Sequence, residues 1–132
     1  MNEDERSIDH LEVMLEYARR GLSFVEGMDF AGFRADLRTQ SAVAMALVMI
    51  GEMASRIIKR NAKLVARHPE MPWSQITGMR NRIAHEYDKI DIAVMWSVVH
   101  ESLPALARQI PLVLKPLLDR YDPPKPLQLP ES

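Results

Sequence analysis

Ala42-Val43-Ala44-Met45-Ala46-Leu47-Val48-Met49-Ile50 is the stretch on which the fold turns. It leaves a helix no polar side to show to water, and a helix apolar all round must be covered all round. In a chain of 132 residues that demand favours a subunit interface as well as an intramolecular core. The alanines and Gly51 suit a close helix approach, although ordinary bundle packing explains them nearly as well.

The flanking periodicity predicts a long second helix from about Asp36 to Ala66. Before it, Ile8, Leu11, Leu15, Ala18, Leu22 and Val25 form one stripe of a first helix over about Glu5 to Glu26. Asp29 is placed to cap a short helical turn through Phe30 and Phe33. Downstream, Pro69 and Pro72 break the chain, and Pro72 or Trp73 opens a third helix holding Ile76, Met79, Ile83 and Ala84, which loosens near His85. Asp91 caps a fourth helix with Val94, Met95, Val98 and Val99. Pro104 starts or kinks a fifth, running to about Tyr121, with kinks expected at Pro111 and Pro116. The expected fold is all-α: an antiparallel bundle of four to five helices over residues 1–121, homodimeric, with a Pro-rich tail over 122–132.

Composition agrees with helices and narrows the chemistry. There are only 5 glycines and 6% aromatics, with 9 methionines, 47% hydrophobic and 27% charged residues. No cysteine is present, which excludes disulfides, thiolate catalysis and cysteine-ligated zinc. The acidic start Met1-Asn2-Glu3-Asp4-Glu5-Arg6 is unlike a signal peptide, and the run Ala42–Ile50 is too short to cross a bilayer. A cytoplasmic protein without a membrane anchor is expected.

The formal net charge of −1 conceals a division. Residues 56–89 hold eight basic side chains against three acidic ones, a balance of +5, and the remainder carries −6. Arg56, Arg60, Lys63 and Arg67, spaced 4, 3 and 4, would share one helix face that attracts phosphate. On charge alone, a solvated helical face is the plainer explanation.

The chemistry gathers in Met79-Arg80-Asn81-Arg82-Ile83-Ala84-His85-Glu86-Tyr87. Arginine grips phosphate with a planar fork, and histidine exchanges protons near neutral pH. Together they suggest phosphodiester chemistry without a metal. On an ideal helix Arg80 and His85 stand about 140° apart, whereas Asn81 and His85 share a face. Either the helix unwinds near His85 or a second subunit completes the site, with two copies of Arg80, Asn81 and His85 lining one cleft. The structural alternative is a helix end where His85 caps carbonyls and Arg80 pairs with an acid such as Glu86. His10, His68 and His100 stand alone and read as surface or boundary residues.

The run Met71-Pro72-Trp73, then Gly78-Met79-Arg80-Asn81-Arg82-Ile83-Ala84-His85-Glu86-Tyr87, then Ile90-Asp91, Trp96 and Leu103-Pro104 resembles the HepT-like proteins. These are toxin components within the HEPN superfamily of helical ribonucleases. Ala46-Leu47-Val48-Met49-Ile50-Gly51-Glu52 also resembles the family's second helix, so that the likeness extends over residues 8–115. The resemblance implies a metal-independent endoribonuclease, the toxin of a type II toxin–antitoxin pair, needing no cofactor and cutting RNA at a dimer cleft. Arg80 and His85 would be the catalytic pair, with Asn81 the polar residue after the arginine. Tyr87 matches the tyrosine that an MntA-like nucleotidyltransferase antitoxin modifies with AMP. Arg82, with Arg56, Arg60, Lys63 and Arg67, would serve RNA binding. Glu52, within an apolar stretch, is a candidate for a place near the cleft, but a solvent-facing or interface salt bridge is the plainer role. A different class of function is a homodimeric module that holds nucleic acid or the partner nucleotidyltransferase without cutting.

Overall fold

A computed structural model describes residues 1–121; the proline-rich segment 122–132 lies outside the described residues. Helix α1 spans Glu3–Phe24 and begins earlier than its apolar stripe suggests because of a capping box. The Asn2 side chain accepts from the Glu5 backbone N–H at 2.8 Å, and the Glu5 carboxylate accepts from that of Asn2. Glu3, Asp4 and Glu5 then meet the positive end of the helix dipole. The chain turns at Gly27, whose φ of 75° is a conformation glycine adopts without a Cβ penalty.

Helix α2 (Phe30–Ala35) is capped by Asp29 as expected, and α3 (Leu37–Arg60) by Asp36. Buried Gln40 ties the two by donating from Nε2 to the carbonyls of Phe33 and Arg34. The expected continuation of this helix to Ala66 is not observed. It breaks at Asn61, and a separate α4 covers Ala62–Arg67. Asn61 leaves the helix because its side chain has better partners off the axis. Its Oδ1 accepts from Leu64 N–H, and its Nδ2 donates to Asp4 Oδ1 and Ser7 Oγ on α1.

Helix α5 spans Trp73–Glu86 behind Pro72, and it ends in a 3-10 turn over Tyr87–Lys89. Asp91 caps α6 (Ile92–Ser97) by accepting from Ala93 N–H. The fourth and fifth expected helices are one rod. A π turn at Val98–Ser102 joins α6 to α7 (Leu103–Tyr121), and Leu103 N–H reaches back to the Val98 carbonyl. Pro104 has no N–H to continue an α-helical ladder, and a wider turn just before it carries the rod past that gap. Pro111 and Pro116 both lie within α7.

Four rods therefore make an up-and-down bundle. Central α3 packs on α1 and α5, and α1 also packs on α7. One core joins Leu11, Met14, Phe33, Ile50, Ile57, Met95, Leu103 and Ile110, each nearly or wholly buried. It covers only part of the opening stretch. Met45 remains 58% exposed, and Ala42, Val48 and Met49 are only partly covered. Helix α3 as a whole, at 24 residues with an 18-residue window of mean hydropathy 1.6, has the length and composition of a membrane span, unlike the shorter run within it. Half of that window is buried between α1 and α5, as befits the central helix of a bundle.

A polar knot closes one end. Asp4 accepts from Asn61 Nδ2 at 2.8 Å and from Tyr121 Oη at 3.0 Å, with Arg67 and Arg120 about it at 3.8 and 4.0 Å. The Asn61 hydrogen bond, reinforced by Tyr121 and the two guanidinium groups, outweighs burial and holds the Asp4 carboxyl below its ordinary value.

Candidate active site

Every residue of the motif hangs on α5 and the turn that follows it. Trp73 anchors the start by burying its ring and donating Nε1–H to the His68 carbonyl at 3.0 Å. Ile76 and Ile83 bury the inner face. The arginine two turns in is seated by α3. A Cβ at Gly51 would overlap the Arg80 Cβ and lie 2.8 Å from its Cγ, so only glycine there lets the arginine stem lie against the neighbouring helix.

The guanidinium then meets Glu52. Arg80 Nη2 lies 3.2 Å from Glu52 Oε2, and Nη1 donates to Asn81 Oδ1 at 3.1 Å. Arg80 Nε is buried with no hydrogen-bond partner among the described residues. Glu52 Oε1 faces Arg56 Nε at 3.5 Å, so one carboxylate bridges two arginines. The acid paired with Arg80 is thus Glu52 on α3, not Glu86 in the motif.

Helix α5 loosens next to His85 as expected: Glu86, with φ −137° and ψ 32°, leaves the helical region, and a 3-10 turn follows, but this comes too late to swing His85 toward Arg80. Arg80 and His85 accordingly remain about 140° apart around the axis. Asn81 and His85 share the outer face, both exposed, as does Arg82 nearby. Tyr87 is 46% exposed, and its hydroxyl lies 3.1 Å from Ser41 Oγ on α3, where either group can donate. Ser41 had no signal in the motif; it is simply the polar residue before the apolar run.

The basic stripe is divided by the break at Asn61. Arg56 joins Arg80 through Glu52, but Arg67 turns to Asp4, and Arg60 and Lys63 border an open depression with Asn2, Glu3 and Tyr121. His10 lies beside Arg56 and Arg60; burial first, then these cations, lower its pKa from the ordinary imidazole value. His68 is hydrogen-bonded to Glu70 at 2.9 Å, and His100 stacks on Trp96 with ring centres 3.9 Å apart. Both have local structural partners. An apolar cleft of about 250 Å³ between α3, α5 and α7 takes in Met79 but neither Arg80 nor His85. The motif therefore lies on an open face.

An all-helical bundle that carries Arg80 and His85 on one helix, with no hydrogen-bond partner for His85 among the described residues, agrees with a HEPN-like helical bundle. The chain belongs to the ribonuclease HepT-like family, whose family model matches residues 14–113. A probable ribonuclease HepT from Thermococcus cleftensis is 38% identical over 98 residues, covering 74% of this chain and 86% of that protein. A candidate RNase from Methanocaldococcus jannaschii is 32% identical over 100 residues, covering 76% and 89%. No solved structure matches the chain at a significant level.

Proposed function

We propose that this protein is a metal-independent endoribonuclease acting as a homodimer in the cytoplasm, the toxin of a type II toxin–antitoxin pair. The observation that carries this reading is the state of the motif: Arg80 is seated and oriented by α3, while Asn81 and His85 face solvent side by side. Neutral His85 takes the proton of an RNA 2′-hydroxyl, whose oxygen attacks the adjacent phosphorus. The bond from phosphorus to the 5′-oxygen breaks, and protonated His85 of a second copy supplies that oxygen's proton. The products carry a 2′,3′-cyclic phosphate and a 5′-hydroxyl, so DNA is not cut. Arg80 stabilises the charge that builds on the pentacoordinate phosphorus. Asn81 lines the same cleft, and Arg82, Arg56, Arg60, Lys63 and Arg67 contribute phosphate contacts of unequal weight, Arg56 being nearest the site.

A second copy is supported by the helical course from Arg80 to His85, which sets the two side chains on different faces of one chain. The incompletely covered flank of α3, with Met45 exposed one turn beyond the Ser41 that meets Tyr87, supports an interface there. Tyr87 is the acceptor through which an MntA-like nucleotidyltransferase silences the enzyme. Its oxygen attacks the α-phosphorus of ATP, pyrophosphate leaves and the phenolic proton goes to solvent. The added anion then repels RNA phosphates.

Purified protein incubated with transfer and total RNA in EDTA tests the reading, beside Arg80→Ala, His85→Ala and protein pre-treated with the partner and ATP. Cutting by untreated wild type alone, with dimers retained in sedimentation, is the expected result. RNA that is bound but left whole by every sample would instead make the protein a non-catalytic binding module.

A further inference from the structure

Arg80 is held more closely than a surface arginine needs to be. Gly51 receives its stem, the Glu52 carboxylate pairs with Nη2 across 3.2 Å, Asn81 takes one hydrogen of Nη1, and Nε is buried. A guanidinium has five N–H donors. With Nε buried and one Nη1 hydrogen given to Asn81, each Nη still has a donor for a ligand, enough for one bidentate contact with an anion. Glu52 is the member of this set that reaches from another helix, and at 35% exposure it is neither buried nor freely solvated. Its negative charge would oppose a phosphate, yet Arg56 stands on its other oxygen, so the trio Arg80–Glu52–Arg56 keeps a net positive charge.

We infer that Glu52 is a positioning residue, fixing the Arg80 guanidinium so that its free Nη donors face the reacting phosphate, with Arg56 as the counter-charge that keeps the carboxylate from repelling substrate. The inference rests on the ribonuclease reading and deepens it. Glu52 itself touches no substrate. Its contribution is orientation, and misplacing a reacting group by about 1 Å can cost on the order of 100-fold in rate.

The test compares wild type, Glu52→Gln and Glu52→Ala in steady-state cleavage of a short RNA, alongside ¹⁵N NMR of the Arg80 side chain in the same full-length proteins. Glu52→Ala is expected to lower kcat by about 10- to 100-fold with KM changed much less. Glu52→Gln, which keeps an acceptor oxygen, should recover most of that loss. Slow rotation about the Arg80 guanidinium bonds should be seen in wild type and lost in Glu52→Ala. An unchanged kcat in Glu52→Ala would overturn the inference. So would a fall in KM at constant kcat, which would mark Glu52 as a competitor of the phosphate. If wild type cuts no RNA, the nuclease reading fails, and the NMR comparison still decides whether Glu52 orients Arg80.

Discussion

Two places in this molecule use the same chemical vocabulary to opposite ends. At Asp4, a carboxylate, an asparagine and two arginines meet where the bundle closes; at Arg80, an arginine, an asparagine and a carboxylate meet beside α3. Asp4 is 16% exposed, and both its oxygens accept hydrogen bonds, from Asn61 and Tyr121. Nothing further is asked of it, and it ties α1 to the α3–α4 junction and the end of α7. Arg80 is 32% exposed, keeps donors unspent, and lies one turn from an unencumbered histidine. A saturated polar cluster serves stability, while an oriented and unsaturated one serves chemistry.

The sharpest way to separate the two is to remove the groups at the open site. Arg80→Ala and His85→Ala should each lower RNA cleavage by about 100-fold or more and leave the thermal midpoint nearly unchanged, because each side chain is exposed or half-exposed. Equal losses of activity and stability would erase the contrast.

Gly51→Ala couples the regions by design. Alanine is the better helix former by about 1 kcal/mol, but its Cβ would collide with the Arg80 stem, and overpacking costs about 1–3 kcal/mol. A net destabilisation is expected, together with a loss of activity larger than the change in stability explains, since Arg80 must move. Denaturant unfolding and cleavage assays on the one variant check both.

Asp4→Ala should behave in the reverse manner. It leaves Asn61 Nδ2 and Tyr121 Oη short of an acceptor and is expected to cost about 1–3 kcal/mol in urea unfolding, with cleavage below the melting range preserved. The pH dependence has a definite sign. The folded carboxyl titrates below its unfolded value near 3.8, so its contribution is complete above that value and disappears as pH falls through the folded one. Wild type should therefore lose more stability than Asp4→Asn as pH drops from about 5 toward 3.

Ser41→Ala is the mildest change. It removes one exposed hydrogen bond, worth at most about 1 kcal/mol, and frees the Tyr87 hydroxyl. Stability should barely change, while AMP transfer to Tyr87 by the proposed nucleotidyltransferase partner should become faster. A slower transfer would mean that Ser41 presents the hydroxyl rather than restrains it.

Much of this was legible in the chain itself, for a local reason. Asp29 and Asp91 cap helices through hydrogen bonds two or three residues away, and the stripe of α1 repeats within one helix. Such signals depend on neighbours in sequence, and so does the motif from Arg80 to Tyr87. The break at Asn61 was hidden because two of its three side-chain partners, Asp4 and Ser7, lie more than fifty residues away. The join between α6 and α7 was visible only as Pro104, which announces a disturbance without saying whether the rod stops or merely widens.

From sequence alone, then, come the helices, the family and the four motif side chains Arg80, Asn81, His85 and Tyr87. Packing alone decided that Arg80 turns to Glu52 rather than Glu86, that Gly51 exists to seat it, and that Tyr87 meets Ser41. Helical spacing constrains contacts within about four residues, whereas these partners lie 28, 29 and 46 residues apart and meet only because α5 lies against α3.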